Sequence, residues 1–114
     1  MSAAPREDAL IVITSLPGRD VAARLAQVLV QRRLAACVNI LAECTSIYRW
    51  RNAVETASEV PMLIKTRASL YPALESAIRE LHPYELPEIV AVTVQRGLPQ
   101  YLDWLVSETS PPGA

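Results

Sequence analysis

The chain has 114 residues, of which 51% are apolar, so it has material for one compact core but too little for two ordinary domains. Its 11 basic and 12 acidic side chains give a net charge of −1 without runs of either sign, which argues against a nucleic-acid-binding surface. Apolar stretches stay short of the ~20 residues that cross a bilayer, and an acidic pair stands where a secretion signal would have its apolar core. We therefore expect a single-domain, soluble cytoplasmic protein with neither nucleic acid nor a membrane as its partner.

The first part of the chain predicts a strand followed by a helix. Residues 9–15 are a β-branched apolar run that stops at Pro17-Gly18, as a buried strand does before a turn. Across residues 19–33 the apolar positions recur at helical spacing, which predicts an amphipathic helix packed on a sheet. Residues 1–8 are expected to be flexible.

A long hairpin is predicted next. Residues 34–50 lack proline and glycine and are rich in β-formers, which indicates one long strand, whether straight or bent. Asn52 marks the turn, because asparagine tolerates a positive φ best after glycine, and a second strand continues to Thr66. A strand of this length spans about 55 Å, whereas a domain of this size is roughly 35 Å across. The hairpin must bend or protrude, and its tip, with Tyr48 and Trp50, is expected to pack on another subunit.

The second half predicts a helix, a strand and a short helix. Residues 68–81 repeat leucine and isoleucine at helical spacing, and Pro83 ends this helix. Residues 88–97 have the character of a buried strand closed by a glycine. Residues 99–108 begin with proline, which suits the first turn of a helix.

This order of elements predicts the fold class. A β-α-β-β-α-β order with an added C-terminal helix is typical of the α+β, ferredoxin-like split βαβ arrangement, in which both main helices cover one face of an antiparallel sheet. We place this single domain at residues 9–108 and expect residues 109–114 to form a disordered tail. The other face of the sheet then needs cover, which trimeric packing, a ligand or a lipid-like surface would supply.

The sequence contains no recognisable catalytic motif and no cysteine pair suited to a disulfide. The sequence has no Gly-rich phosphate loop, GxSxG elbow or HExxH motif, so we expect no enzyme and no organic cofactor. Cys37 and Cys44 are separated by about 23 Å if the segment is extended, which is too far for a disulfide. We interpret each as a small buried thiol, with Cys37 also eligible as a soft metal ligand.

His82 is the single histidine and lies in "LHPYELPEI", near Glu85 and Glu88. At a helix C-terminus it can bond the last carbonyls. Alternatively, it could bind copper or zinc with ligands from other strands or subunits. Glu85 and Glu88 have a simpler interpretation as solvated carboxylates.

Lys65 and Tyr84 are further candidates. Lys65 ends an apolar strand, where it either extends to solvent or pairs with a carboxylate such as Glu59 or Glu85. Tyr84 stands between two prolines, and we expect it to pack at a pocket rim where its hydroxyl finds a partner.

Five segments, "RRLAACVNI", "TSIYRWRNAVE", "SEVPMLIKT", "HPYELPEI" and "YLDWL", together resemble the CutA family of divalent-cation tolerance proteins. The resemblance runs from about residue 10 to residue 106 and is specific in combination. It implies a ferredoxin-like fold, a homotrimer with long hairpins reaching to neighbouring subunits, and tolerance of copper and other divalent ions in the cytoplasm. It also implies an intersubunit cleft, to which we assign Glu59, Lys65, Tyr84, Glu85, Glu88 and His82.

The chain departs from the family pattern at three places. Asn52 replaces a glycine that many members have at the hairpin tip, and Ala42-Glu43 replaces a Pro-Gly pair, so we expect a less sharply bent strand. A copper site proposed for some members uses a cysteine where this chain has Thr14 and a histidine pair where it has Leu81-His82. The resemblance therefore does not transfer that copper site intact.

The sequence favours a trimer that binds or senses copper or another divalent cation without catalysis, with His82 and Cys37 as the proposed metal ligands. A rival hypothesis is a signalling trimer resembling the PII type, in which Lys65 and Arg67 would hold a small anion. A third is a purely structural assembly partner whose cleft is empty, since one fold hosts unrelated functions.

Overall fold

The computed structural model describes residues 7–112, so the expectations for residues 1–6 and 113–114 lie outside the described residues. Within that range no helix is both long and apolar enough to cross a membrane. A single 3-10 turn, Ala68–Leu70, leads into the second helix. The elements in chain order are β1 (Ala9–Leu16), α1 (Arg19–Gln31), β2 (Cys37–Ile40), β3 (Cys44–Trp50), β4 (Ala53–Arg67), α2 (Tyr71–Leu81), β5 (Val90–Val94) and α3 (Pro99–Glu108).

The main sheet is antiparallel, with the strand order β2-β4-β1-β5, and β3 pairs with β4 beyond the end of β2. This strand order, with both main helices between the paired strands in sequence, confirms the predicted α+β, ferredoxin-like class. β1 and β4 form the centre because each of them is paired on both sides. The sites discussed below are held on this central pair or on its extensions.

The core lies between the sheet and the helices α1 and α2. Every second residue of β4 from Val60 onward faces these helices and is buried, and β1 does the same through Val12 and Leu16. The helices contribute small and branched apolar side chains at helical spacing. The core members are Val12, Leu16, Ala22, Leu25, Ala26, Leu29, Ala35, Val60, Met62, Ile64, Leu74, Ala77 and Ile78.

The single strand predicted over residues 34–50 is wrong in one respect, because the structure has two strands there. Ile40 pairs with Met62, and Cys44 pairs with Glu59, so residues 41–43 oppose only two residues of β4. One extra residue in a strand is a β-bulge, which bends the ribbon and increases its twist. The bulge provides the bend although the chain lacks Pro-Gly at this place.

The strand also starts later than predicted, because α1 ends in a turn with a left-handed residue. Arg33 has φ 59°, and the Leu34 N–H donates to the carbonyl of Leu29. This is the Schellman pattern of a helix C-terminus, formed here without glycine. Residues 34–36 therefore belong to the helix-to-strand turn, and β2 begins at Cys37.

The hairpin protrudes, as the length of its strands predicts, and the molecule measures 58 × 25 × 23 Å along its principal axes. Trp50 pairs with Ala53, so the turn has two residues, Arg51 with φ 49° and Asn52 with φ 67°. The positive φ expected for Asn52 is confirmed. The positive φ of Arg51 was not predicted, and it follows from the preference of two-residue hairpins for primed turns.

Both ends of the domain are held more firmly than the sequence suggests. Arg67, with a side chain 16% exposed, donates to the Glu7 carboxylate and to the hydroxyl and carbonyl of Thr109. The Ser69 N–H donates to the same carboxylate and, as the largest cause, lowers the pKa of Glu7. Glu7 and Thr109 thus accept hydrogen bonds within segments predicted to be flexible, because a largely buried guanidinium needs acceptors.

Replacement of Asn52 by alanine should destabilise the hairpin. The left-handed conformation costs about 1 kcal/mol for alanine and almost nothing for glycine. We expect Asn52→Ala to lower the free energy of unfolding by about 1 kcal/mol and Asn52→Gly to leave it unchanged or raise it slightly. Denaturant unfolding at one fixed protein concentration measures both, and equal stabilities for the two variants would contradict this account of the turn.

Candidate functional site

A groove of about 1140 Å³ separates the hairpin from the connector that joins α2 to β5. One wall is a face of the hairpin on which side chains from alternate positions of β3 and β4 project together. The other wall is the connector itself, residues 83–90, stiffened by Pro83 and Pro87. The lining includes three aromatic side chains and three carboxylates, namely Tyr48, Trp50, Tyr84, Glu59, Glu85 and Glu88, together with Arg49.

Tyr84 and Glu59 line opposite walls at the inner end of the groove. Burial, followed by the interaction with the negatively charged Glu59 carboxylate, raises the pKa of Tyr84 well above its ordinary range. Tyr84 therefore stays protonated. Glu59 is the candidate for the hydroxyl partner that the sequence predicted for this tyrosine.

The hairpin tip meets the connector at the outer end of the groove. Arg51 Nη2 lies 2.9 Å from Glu85 Oε2, and the guanidinium carbon lies 5.2 Å from the centroid of the Trp50 ring. The side chains of Arg51 and Glu85 are 70% and 73% exposed, so water screens their attraction. Arg51 was not among the predicted site residues. Its position in the turn, directly after Trp50, is the one signal in the sequence that could have indicated its role.

His82 lies behind the groove and holds the connector in place. Its backbone N–H donates to the carbonyl of Ile78 and so ends α2. Its ring Nε2 lies 2.8 Å from the Ser15 carbonyl, and its Nδ1 accepts the Tyr84 N–H at 3.1 Å. Since Nδ1 accepts, Nε2 carries the proton and donates to Ser15. The neutral ring thus links the end of α2, the end of β1 and the start of the connector.

This arrangement bears directly on the metal hypothesis for His82. Both ring nitrogens are engaged in hydrogen bonds, so a metal ion would have to displace one of them. Burial lowers the pKa of the imidazole, an effect that the Ser15 bond and the Glu59 charge partly oppose. Among residues 7–112, no group of three or more histidine, cysteine, aspartate or glutamate side chains is placed to hold a metal ion.

Cys37 lies in a different part of the sheet from His82. Cys37 pairs with Lys65, which pairs with Ile11, whereas His82 is bonded to Ser15, about 13 Å further along β1. Both cysteines are free thiols, as predicted, but each is only partly buried, so the interpretation of them as buried side chains is wrong. Thr14, at the place of the family's proposed copper cysteine, is fully buried on the helix-covered face of the sheet.

The structure also separates Lys65 from the rest of the predicted cleft. Its Nζ donates to Asn39 Oδ1 on the neighbouring strand, and it does not line the groove. Arg67, the second cation of the small-anion hypothesis, already donates to Glu7, Ser69, Thr109 and Ser110. Of the other predicted cleft and hairpin residues, those that line the groove are Glu59, Tyr84, Glu85, Glu88, Tyr48 and Trp50, while Asn52 sits in the turn above it.

Comparison with known families gives a match over residues 10–108 to the model described as CutA1 divalent ion tolerance protein. The chain belongs to this family. The match covers every element of the domain from β1 to α3. It confirms the resemblance that the five sequence segments indicated.

Individual relatives agree with this assignment. The Divalent-cation tolerance protein CutA of Thermus thermophilus is 44% identical over 99 residues, which are 87% of this chain and 96% of that protein. Mouse Protein CutA is 48% identical over 89 residues, which are 78% of this chain, and the match spans about half the length of the mouse protein. The crystal structure of CutA from Xylella fastidiosa superposes with a TM-score of 0.88 at 43% identity, covering 90% of this chain and 99% of that one.

The stability of the protein should depend on pH through His82. The folded protein favours the neutral ring, and the unfolded chain binds a proton near pH 6.5. The stabilisation is therefore complete above about pH 6.5 and is lost as the pH falls toward the lowered pKa of the folded state. We expect the melting temperature to fall from about pH 7.5 to about pH 5.5, and to fall much less in His82→Gln.

The glutamine variant is the matched control because its side-chain amide can still donate to the Ser15 carbonyl but does not titrate. Carboxylates with lowered pKa values, such as that of Glu7, change stability only below their ordinary pKa of 4.5, which is outside this pH window. Equal pH profiles for the wild type and the variant would show that His82 is not the group responsible.

Proposed function

We propose that this protein acts as a cytoplasmic homotrimer in the tolerance of divalent metal ions, copper among them, by binding or sensing the ions without catalysis. The family assignment is the observation that carries the proposal, because the matching model and the Thermus relative are both described by divalent-ion or divalent-cation tolerance. We place the ion site in the groove beside the hairpin. Its carboxylates, Glu59, Glu85 and Glu88, offer the oxygen ligands that divalent cations accept.

The trimer is supported by the face of the sheet opposite α1 and α2. Ile13 lies there between Leu63 and Val90, and Ile11 lies beside Val92. Val90 and Val92 are 47% and 51% exposed. α3 covers only one end of this face, where Leu105 packs with Ala9 and Ala36. A contiguous apolar face of this kind indicates an interface, and copies of the same chain would bury it.

The hairpin supports the same assembly. It extends beyond the main sheet, and its outer side carries Ile47 and Val54, which are 71% and 65% exposed. A two-stranded ribbon is marginally stable in water by itself. Contact with a neighbouring subunit would cover these side chains and would turn the groove into an intersubunit cleft.

A charge in the middle of the open sheet face should break the trimer. We expect sedimentation equilibrium to give about three times the 12.5 kDa chain mass for the wild type. Ile13→Lys should shift the protein to monomers, because it would bury an unpaired ammonium in the interface. Val30→Lys is the matched control, since Val30 is 42% exposed on α1 and away from this face. A monomeric wild type, or a trimeric Ile13→Lys, would contradict the proposed interface.

The ion site is proposed to be made of oxygen ligands. His82 is engaged on both ring nitrogens, and Cys37 is held beside Lys65 and Asn39. Either residue would become a metal ligand only through rearrangement or through donors from a second subunit. Glu59 and Glu85 already line the groove, and the ion pair of Glu85 with Arg51 is exposed to water, so an ion can displace the guanidinium without any change in the backbone. A site completed by carboxylates from more than one subunit fits the absence of a three-ligand group among residues 7–112.

Calorimetric titration of the metal-free chain with Cu(II) and Zn(II) tests the location of this site. Removing one carboxylate charge should weaken binding by about tenfold, so Glu59→Gln and Glu85→Gln should each show this loss. Glu43→Gln, in the bulge, should bind like the wild type. His82→Ala and Cys37→Ser should retain the wild-type affinity, and a loss of binding in either would assign the ion to those residues instead.

A further inference from the structure

The outer end of the groove already holds a cation that belongs to the chain. The guanidinium of Arg51 lies against the Trp50 ring and pairs with Glu85 across the mouth of the groove. The centroid of the Trp50 ring lies 5.2 Å from the guanidinium carbon, and Glu85 supplies a carboxylate 2.9 Å from Nη2. We call this pair of side chains, Trp50 and Glu85, the bracket.

The chemistry of the bracket matches a guanidinium better than other cations. A guanidinium is planar, stacks on aromatic faces and offers paired N–H donors to a carboxylate, whereas an ammonium is a compact, strongly hydrated charge. The groove behind the bracket has further aromatic rings, those of Tyr48 and Tyr84, and further carboxylates, those of Glu59 and Glu88. Arg49 pairs with Val54, so its side chain projects to the opposite face of the hairpin from those of Tyr48 and Trp50.

Arg51 is held weakly enough to be displaced. Both side chains of its ion pair with Glu85 are exposed to water, and such exposed pairs add little to stability. A stack on an exposed aromatic ring adds a similarly small amount. Arg51 also sits in the two-residue turn, so its side chain can swing away without any change in the strands.

We propose that the groove binds guanidinium groups from outside the chain, and that Arg51 is a built-in competitor that occupies the bracket when no such ligand is present. The ligand class is a guanidinium carried either by an alkylguanidine or by an arginine side chain of a partner protein. This inference does not depend on metal binding. Its failure would leave the proposed ion site and the trimer untouched.

The test is calorimetric titration of the full chain with methylguanidinium and, in parallel, with methylurea, which is planar and of similar shape but uncharged. Arg51→Asn is the informative variant, because asparagine tolerates the positive φ of the turn and cannot fill the bracket. We expect Arg51→Asn to bind methylguanidinium about tenfold more tightly than the wild type does. Methylurea should bind weakly and equally to both.

Two further variants separate the bracket from general charge attraction. Adding Trp50→Leu or Glu85→Gln to Arg51→Asn should cancel the gain in affinity. Adding Trp104→Leu, which removes an exposed ring on α3 outside the groove, should leave the gain intact. Trp50 and Glu85 are themselves exposed or at the surface, and circular dichroism checks that each variant is folded.

The proposal is overturned if Arg51→Asn binds methylguanidinium no more tightly than the wild type, if methylurea binds as well as methylguanidinium, or if the gain survives removal of the Trp50 ring. Blocked Gly-Arg-Gly and Gly-Lys-Gly peptides distinguish the sources. Tighter binding of the arginine peptide than of methylguanidinium assigns the ligand to a protein partner, and equal binding assigns it to a small molecule. Equal affinity for the lysine peptide would show charge attraction alone and would also overturn the proposal.

Discussion

β4 is one continuous strand that serves two parts of the molecule at once. From Val60 onward it lies at the centre of the sheet, with β1 on one side and β2 on the other, and its alternate side chains form the core. Its first residues form an arm of the protruding hairpin. Because β4 is unbroken, the strand paired with it must accommodate the bend between the main sheet and the hairpin. It does so with one extra residue in the bulge at 41–43, which divides β2 from β3.

This continuity fixes where the groove lies. Glu59 is the last β4 residue before the core begins, and it faces the same side as Ser46 and Tyr48 of the hairpin. The connector is placed opposite by His82, whose ring joins the end of α2 to the end of β1. Both walls are therefore set by hydrogen bonds to the central strands. The groove is part of the fold and does not depend on a mobile loop.

The sequence predicted the order of the elements, with one strand where the structure has β2 and β3, because hydrophobic periods of 3.6 and 2 are local signals. It also predicted the protruding hairpin, since the strand length alone exceeds the width of the domain. It missed the bulge, because a one-residue offset depends on the pairing with β4 and leaves no mark in the composition of residues 41–43. It also missed the hydrogen bonds of Arg67 to Glu7 and Thr109, because these acceptors are distant from Arg67 in the sequence.

In the candidate site, too, the sequence indicated some residues correctly and missed contacts between residues that are distant in sequence. Tyr48 and Trp50 were identified from the length of the hairpin, whereas Tyr84 and the glutamates were assigned to a cleft on the resemblance to the family. Lys65 was grouped with them, but its side chain bonds to Asn39 in another part of the sheet. The engagement of both His82 nitrogens could not be foreseen, because it requires the carbonyl of Ser15, 67 residues away in the sequence. A histidine beside glutamates looks the same in sequence whether it binds a metal or holds a connector.

The account therefore rests on the claim that the groove carboxylates, and not His82, meet the divalent ion. Electron paramagnetic resonance of the chain with less than one equivalent of Cu(II) tests this claim most directly, because imidazole nitrogen splits the copper signal and carboxylate oxygen does not. We predict a spectrum of oxygen-ligated copper without nitrogen splitting. Splitting from an imidazole nitrogen, abolished in His82→Gln, would contradict the account and would place His82 in the metal site.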